Sequence, residues 1–212
     1  MNVWRKLMRI LGIAGRTPRR RKARALFVGL NNAGKSTLLN RLKSDREQVS
    51  RKMITPTVGF TAGQFVFNNV KFAVTDMSGR DGYRALWESM YGQCDAIVFV
   101  VDSTDQMRFA VVKDELDMML RHPDVAGRLN LPILFVATKT AAPDACGAST
   151  VATALRLHER LEPNRQWRLA STDAITTTTV GAGMPGQPVD DGLREAMEWL
   201  VDLVKVSHHR QS

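Results

Sequence analysis

Short runs of apolar residues alternate along the chain with stretches in which apolar residues recur every three or four positions. The runs predict buried strands, and the stretches between them predict amphipathic helices. The predicted buried strands cover residues 25–30, 96–102, 131–138 and 167–171. Residues 61–76 are strand-like on both sides of Asn68 and Asn69, which predicts a hairpin with these two asparagines at its turn.

The predicted helices cover residues 35–43, 105–122, 149–161 and 190–206. Pro123 is expected to end the second of them, and Asp190 or Asp191 to cap the last. Because strands that alternate with helices form parallel sheets covered on both faces, we predict an α/β fold. Its sheet should have six strands, mostly parallel, with the hairpin supplying one antiparallel edge strand. Residues 176–189 lack periodicity and are rich in Gly, Pro and Thr, so we expect a mobile surface loop there.

The excess of basic residues is concentrated at the beginning of the chain. The sequence has 30 basic and 21 acidic residues, a net charge of +9, and residues 1–25 hold nine of the basic ones and no acidic one. The remainder is therefore balanced at 21 against 21, so the excess belongs to an N-terminal arm. A neutral domain argues against a nucleic-acid-binding face, and we expect no nucleic-acid partner.

The arm combines an amphipathic segment, residues 1–15, with the polybasic sequence RTPRRRKAR at residues 16–24. This pattern favours an interfacial helix, with residues 1–22 contacting a membrane surface, where each basic residue adds about 1 kcal/mol. Two alternatives stay open: a helix packed on its own domain, and a mitochondrial or nuclear targeting signal. Asn2 excludes N-myristoylation.

Length and cysteine content indicate one domain in a reducing compartment. We place the domain at residues 24–206, between an arm at 1–23 and a tail at 207–212. The two cysteines do not make a disulfide framework. No apolar run approaches the roughly 18 residues that cross a bilayer. We therefore expect a cytoplasmic monomer that binds a membrane peripherally.

Residues 29–36 read GLNNAGKS and match the phosphate-loop pattern GxxxxGK[ST], between a predicted strand and a predicted helix. The glycines let backbone N–H groups point at phosphates, and the helix N-terminus adds its dipole. Lys35 is expected to reach the outer phosphates, and the Ser36 hydroxyl to bind Mg²⁺. The predicted phosphate-binding residues are Gly29, Asn31, Asn32, Ala33, Gly34, Lys35, Ser36, Thr37 and, further along, Gly79.

Two later motifs supply the other groups that such a site requires. DMSG, from Asp76 to Gly79, ends the second strand of the hairpin, where a carboxylate can hold the Mg²⁺ shell through water. Gly79 offers a backbone N–H to a terminal phosphate. Thr57, in TPTVGF, lies in a segment that could close over the metal. The predicted Mg²⁺ residues are therefore Ser36, Thr57 and Asp76.

Together, GLNNAGKST, TPTVGF and DMSG resemble the phosphate loop and the two switches of the Arf-like small GTPases. YRALWE, DAIVFVVDS, LPILF and STDAI resemble the ciliary branch of that family, which is linked to Bardet–Biedl syndrome and recruits the BBSome coat. The resemblance spans about residues 24–205. It implies a Ras-like P-loop G domain with GTP or GDP and Mg²⁺ as ligands. It also implies switches that bind an effector or coat protein, and a ciliary or flagellar membrane.

The residue after DMSG departs from the family pattern. The family has glutamine there, which orients the attacking water, and this chain has Arg80. Guanidinium only donates hydrogen bonds, so hydrolysis by the usual route should be slow. Two roles stay open for Arg80: an arginine finger in cis on the γ-phosphate, and a solvated charge in a mobile loop.

The base-reading motif also departs from the family. Where the family has Asn-Lys-x-Asp, this chain has Thr138, Lys139, Thr140 and Ala141. Lys139 can still pack on the base, but the aspartate that accepts two guanine N–H groups is absent. Each lost charged hydrogen bond costs roughly 1.5–3 kcal/mol, so discrimination against ATP should weaken. Asp144 is a candidate substitute. The predicted base-binding residues are Thr138, Lys139 and, in a second loop, Asp173 and Ala174.

The partner surface is expected around Phe60, Trp87 and Tyr91. Phe60 matches one member of the family's aromatic triad, while Thr75 and Met90 occupy the other two positions. Trp87 and Tyr91 could instead belong to the core.

Three functions remain in view. The first is a GTP-dependent switch with slow turnover that recruits a coat or cargo adaptor. The second is a pseudo-GTPase that acts as an interaction scaffold. The third is a P-loop enzyme that uses ATP, for which the sequence offers no lid or acceptor motif.

Overall fold

The computed structural model describes residues 20–173 and 190–209. Its six strands are β1 Arg21–Val28, β2 Phe60–Phe67, β3 Val70–Met77, β4 Ala96–Asp102, β5 Ile133–Thr138 and β6 Trp167–Ser171. They form one sheet in the order β2–β3–β1–β4–β5–β6. Every neighbouring pair is parallel except β2 with β3. The prediction of six mostly parallel strands with one antiparallel edge strand is confirmed.

The α-helices of the described ranges are α1 Lys35–Leu42, α2 Asp81–Arg84, α3 Glu88–Tyr91, α4 Phe109–Arg121, α5 Pro123–Ala126, α6 Ala148–Ala154, α7 Leu157–Arg160 and α8 Asp191–His209. Short 3₁₀ helices cover Arg51–Met53, Ala85–Trp87 and Gln106–Arg108. Within the same ranges, no helix has both the length and the apolar character that a bilayer crossing requires.

The core has two layers, one on each face of the sheet. On one face, Phe27 of β1 packs in a buried cluster with residues of α1 and α8. On the other face, its neighbour Leu26 packs in a cluster with residues of α4 and α6. Neighbouring residues of a strand point to opposite faces. The prediction of helices on both faces is therefore confirmed.

The hairpin turn forms where the sequence predicts it. Asn68 and Asn69 have φ angles of 43° and 63°. Positive φ at both central residues is the signature of a type I′ turn, which matches the twist of the flanking strands. The hairpin places Asp76 near the carboxyl end of β3, beside Phe27 of β1.

Two predicted helices differ from the structure. The helix predicted at 149–161 is divided by Arg156, which has a φ of 51°. Leu155 and Leu157 are both fully buried, and residues two apart do not share one helix face, so the reversal at Arg156 lets both enter the core. Pro123 does end α4, but it also begins the single turn of α5.

The ends of the domain are only partly as predicted. Asp190 caps α8, since its Oδ1 accepts a hydrogen bond from the backbone N–H of Leu193 at 2.9 Å. Strand β1 begins at Arg21 because residues 21–23 pair with β3, so the last three residues of the predicted arm lie in the sheet. The predictions for residues 1–19, for the loop 176–189 and for the end of the tail lie outside the described residues.

Candidate nucleotide-binding site

A cleft of about 270 Å³ opens at the carboxyl ends of β1 and β3. Ligands of parallel α/β sheets bind at this edge. The cleft is lined by Asn31, Asn32, Gly34, Lys35, Ser36, Thr37, Ile54, Thr55, Pro56, Thr57, Ser78, Gly79 and Arg80. The structure therefore brings together the phosphate loop and the two predicted switch segments.

The phosphate loop is held close to its neighbours by glycine. A Cβ at Gly29 would lie 2.1 Å from the carbonyl oxygen of Val100, and one at Gly79 would lie 2.3 Å from the backbone nitrogen of Asn31. Neither position has room for a side chain. The backbone N–H of Asn31 donates to the Gly79 carbonyl at 3.0 Å, which joins the loop directly to the segment after β3.

Lys35 is positioned for a phosphate by the loop itself. Its Nζ donates to the carbonyls of Gly29 and Leu30, each at 2.8 Å. The pKa of Lys35 is lowered to about 8, chiefly by burial; the negative charge of Asp76 opposes this shift, and the positive charge of Arg108 adds to it. An anion entering the cleft would stabilise the charged ammonium that burial disfavours.

Ser36, Thr57 and Asp76 converge on one point from α1, the segment before β2 and the end of β3. The Ser36 hydroxyl donates to Oδ2 of Asp76 at 2.5 Å and lies 3.2 Å from the Thr57 hydroxyl. Burial raises the pKa of Asp76, and the hydrogen bond from Ser36 partly offsets this. The other carboxylate oxygen, Oδ1, is buried without a hydrogen-bond partner in the described structure.

This arrangement fits Mg²⁺, which prefers oxygen ligands and keeps several waters. The Ser36 hydroxyl is within hydrogen-bonding distance of both the Thr57 hydroxyl and the Asp76 carboxylate. The unpaired Oδ1 of Asp76 can accept a further hydrogen bond. A buried unpaired carboxylate oxygen is costly unless a donor or a cation completes it. Ser36 and Thr57 would hold the ion directly, and Asp76 through water.

Arg80 lies at the rim of the cleft with its side chain exposed. Its backbone N–H donates to the Ser78 hydroxyl at 3.4 Å. Arg80 lines the phosphate end of the cleft, and no ion pair with a carboxylate of the described residues holds its side chain. Both roles predicted for Arg80 stay predictions.

The base side of the site is organised differently. Thr138 is buried, and its hydroxyl donates to the Ala33 carbonyl at 2.7 Å and approaches that of Val101 at 3.2 Å. It therefore fastens the phosphate loop to β5. The side chain is committed to these contacts within the protein, and the prediction that Thr138 contacts a base stays a prediction.

Lys139 is held by a carboxylate from another strand. Its Nζ donates to Oδ2 of Asp102 at 2.5 Å, and the two side chains are 26% and 6% exposed. The other oxygen of Asp102 accepts from the backbone N–H and hydroxyl of Thr104. Ala141 and Asp144 lie exposed in the turns that follow. No residue from 138 to 144 lines the described cleft.

The second base loop is anchored to the last helix. Thr172 donates its hydroxyl to Asp190, the residue that caps α8, and its backbone N–H to the Ala137 carbonyl at 2.8 Å. Asp173 follows, half-buried, at the end of the described segment. The predicted base contact of Ala174 lies outside the described residues.

A model of the ADP-ribosylation factor family matches residues 9–204. The chain belongs to this family. The ADP-ribosylation factor-like protein 6 of Danio rerio is 36% identical over 205 residues, covering 97% of this chain and 98% of that protein. The Caenorhabditis elegans protein of the same name is 36% identical over 188 residues, or 88% of this chain and 90% of that one.

A solved relative shows the same fold with a ligand. The Arl6 BBS3 small GTPase from Trypanosoma brucei, with bound nucleotide analogue GppNp, is 32% identical to this chain with a TM-score of 0.72. The alignment covers 90% of this chain and 99% of that one. The predictions of an Arf-like small GTPase and of a Ras-like fold are confirmed.

The sequence did not single out Arg108, which the Arf fold brings to the phosphate loop. Its guanidinium donates to the Asn31 side-chain oxygen at 2.8 Å and to the Asn31 carbonyl at 3.2 Å. Asp105 holds the same guanidinium through an ion pair. Arg108 and Asn31 are 77 residues apart, so no local pattern predicts this contact.

The predicted partner surface is corrected at two of its three residues. Phe60 is 55% exposed, but Trp87 and Tyr91 are buried in the core. Met53, Val58 and Leu86 are further large apolar residues exposed in or beside the switch segments. The spacing of Trp87 and Tyr91, four residues apart, is the signal that could have assigned them to the core.

Proposed function

We propose that this Arf-family chain is a GTP-dependent switch that recruits a coat or cargo adaptor of BBSome type to a ciliary or flagellar membrane. We propose further that it hydrolyses GTP slowly or not at all. The observation that carries the switch is a hydrogen-bonded path between the cleft and the exposed apolar residues.

Ser78 is the centre of that path. Its hydroxyl donates to the Thr57 carbonyl at 2.8 Å, and its backbone N–H donates to the Gly59 carbonyl at 2.8 Å. Its own carbonyl accepts from the indole of Trp87 at 2.9 Å. One buried residue at the cleft therefore links the segment that carries Phe60 to the segment that carries Leu86.

Phosphate binding would act on both of these segments. Thr57 and Gly79 line the cleft, and each is directly joined to Ser78 by hydrogen bonding or by sequence. Mg²⁺, when bound, would neutralise charge on the phosphates beside Ser36. A ligand can shift a conformation only through differential contacts, and these residues are where such contacts would form.

Slow hydrolysis is supported by Arg80. A general base or a water-positioning group must accept a hydrogen bond, and guanidinium has no acceptor. Membrane recruitment is supported by the polybasic segment, whose described basic members Arg20, Arg21, Lys22 and Arg24 are exposed. Attraction to an anionic leaflet would add to an amphipathic helix.

A second candidate, the pseudo-GTPase scaffold, is favoured by the base side of the site. There, Lys139 and Thr138 are bonded within the protein, and Ala141 has no acceptor for guanine. Such a protein would present the same surface whether or not nucleotide is bound.

The test is reconstitution on anionic liposomes with a purified BBSome-type coat. The switch predicts co-sedimentation of the coat with the GppNp-loaded chain and at least tenfold less with the GDP-loaded chain. Phe60→Ala should abolish most of the recruitment. Met118→Ala is the matched control, since Met118 is 54% exposed but lies on α4. Equal recruitment with both nucleotides would favour the scaffold.

Hydrolysis needs a separate measurement. Arg80→Gln should raise single-turnover GTP hydrolysis at least tenfold, because glutamine restores an acceptor for the attacking water. Lower hydrolysis in this variant would instead mean that Arg80 itself stabilises the reaction.

A further inference from the structure

We propose that the cleft binds Mg²⁺–nucleoside triphosphates through their phosphates and does not select the base. Its ligand class is then any common nucleoside triphosphate, ATP included. This inference deepens the proposed switch and rests on it for nucleotide binding itself. It concerns which nucleotide turns the switch on.

The groups that face the cleft belong to the phosphate end. Lys35, Ser36 and Thr57 line it, and Asp76 lies directly behind them. Lys35 and the Ser36–Asp76 pair carry the charge and the oxygen ligands that a Mg²⁺–triphosphate requires. These contacts are the same for every nucleoside triphosphate.

Position 141 offers no acceptor for the two N–H groups that distinguish guanine from adenine. Guanine differs from adenine on its Watson–Crick edge by donating from N1 and the exocyclic N2, which a single carboxylate can accept together. Ala141 has no polar side-chain atom and lies in a turn closed by the Ala142 N–H to the Lys139 carbonyl at 3.0 Å. Nothing at this position distinguishes guanine from adenine.

The polar groups of Thr138 and Lys139, the two described residues of this motif nearest the phosphate loop, are bonded within the protein. The amine of Lys139 is 2.5 Å from the buried Asp102, and the Thr138 hydroxyl is given to the Ala33 carbonyl at 2.7 Å. Buried polar groups that already have partners gain little from a new one. Lys139 and Thr138 therefore stabilise the loop, and neither offers a free polar group to the base edge.

The phosphate loop does not depend on a base-reading residue for its position. Thr138 fastens Ala33 to β5, and Arg108 fastens Asn31 to the segment after β4. Both bonds form within the protein chain alone. Phosphate binding can therefore remain when base reading is lost, and mass action then decides which nucleotide occupies the cleft.

The experiment measures the Kd of the nucleotide-free full chain for GTP, ITP and ATP, each with Mg²⁺. ITP lacks the exocyclic amine of guanine, so it separates one lost hydrogen bond from two. The wild type should bind all three within about threefold of one another. Ala141→Asp should strengthen GTP binding about tenfold or more, ITP binding less, and leave ATP binding unchanged.

Asp144→Asn tests the candidate substitute acceptor, because Asp144 is the exposed carboxylate closest along the chain to Ala141. It should leave all three constants unchanged. A wild type that prefers GTP more than tenfold overturns the inference but is compatible with the proposed GTP-dependent switch. If that preference is lost in Asp144→Asn, Asp144 is the residue that recognises guanine. A non-selective wild type whose GTP affinity does not rise in Ala141→Asp would overturn the role of position 141. A wild type that binds none of the three would overturn the proposed function as well.

Discussion

The two ends of the nucleotide cleft are built on opposite principles. At the phosphate end, Lys35 is buried with a lowered pKa and Asp76 has an unpaired carboxylate oxygen, so the groups there are better satisfied with a ligand present. At the base end, Lys139 is paired with Asp102 and Thr138 with Ala33, so the groups are satisfied without one. Buried charged groups with perturbed pKa values or unpaired atoms therefore mark a binding site more reliably than does the mere presence of polar residues.

The largest effect should come from Lys35→Met, which keeps the length of the side chain and removes its charge. Binding of Mg²⁺–GTP and of Mg²⁺–ATP should each weaken at least 100-fold, or about 2.7 kcal/mol, because the phosphates lose their buried cation. Stability should not fall, since a lowered folded pKa means that the charged ammonium destabilises the fold at neutral pH. Calorimetric titration and urea unfolding measure the two quantities. Binding within tenfold of wild type would contradict the assignment.

Lys139→Met should give the reverse result. Removing the amine leaves the buried Asp102 without its partner, which should lower the free energy of unfolding by about 2 kcal/mol. Nucleotide affinity should change less than threefold. The control is Lys139→Met combined with Asp102→Asn, which should recover part of the stability in urea unfolding. A large loss of affinity with unchanged stability would show that Lys139 contacts the ligand.

The third prediction concerns pH. Because the pKa of Lys35 in the empty cleft is about 8 and triphosphate favours its charged form, binding above pH 8 requires proton uptake. The affinity for Mg²⁺–GTP should fall about tenfold between pH 7 and pH 9 and stay nearly constant between pH 6 and pH 7. Titrations in two buffers of different ionisation enthalpy would detect the proton. A constant affinity up to pH 9 would contradict the buried position of the ammonium.

The smallest effect should come from Asp76→Asn in the absence of Mg²⁺. The pKa of Asp76 is raised by burial, so the folded state holds its proton more strongly than the unfolded state and stability falls as pH rises above the usual range of a carboxyl. The neutral amide removes this penalty and should raise stability by about 1 kcal/mol at pH 7. Urea unfolding at pH 5 and pH 7 tests it. A less stable variant would mean that Asp76 stabilises the fold.

The phosphate end and the sheet were predictable because their signals are local. GLNNAGKS and DMSG are short motifs at strand ends, and alternating strand and helix patterns determine the sheet. The hairpin follows from two asparagines at its turn. In these regions, spacing along the chain carries the same information as distance in space.

The base end was not predictable because its contacts are distant in sequence. Lys139 and Asp102 are 37 residues apart, and Thr138 and Ala33 are 105 apart. From the sequence, Lys139 and Thr138 read as base contacts, whereas in the fold their polar atoms are bonded to the protein. The break in the predicted helix at Arg156 was not predictable for a related reason, because it depends on burying both Leu155 and Leu157 in the same core.

The central claim is that the cleft binds triphosphates through their phosphates and does not select the base. Its most direct test is thermal unfolding of the nucleotide-free wild type with Mg²⁺ and equal millimolar concentrations of GTP, ATP or inorganic tripolyphosphate. A ligand that binds only the folded state raises Tm according to its concentration relative to Kd. We predict equal increases in Tm with GTP and ATP, and most of that increase with tripolyphosphate. An increase with GTP alone, or with none of the three, would contradict the account.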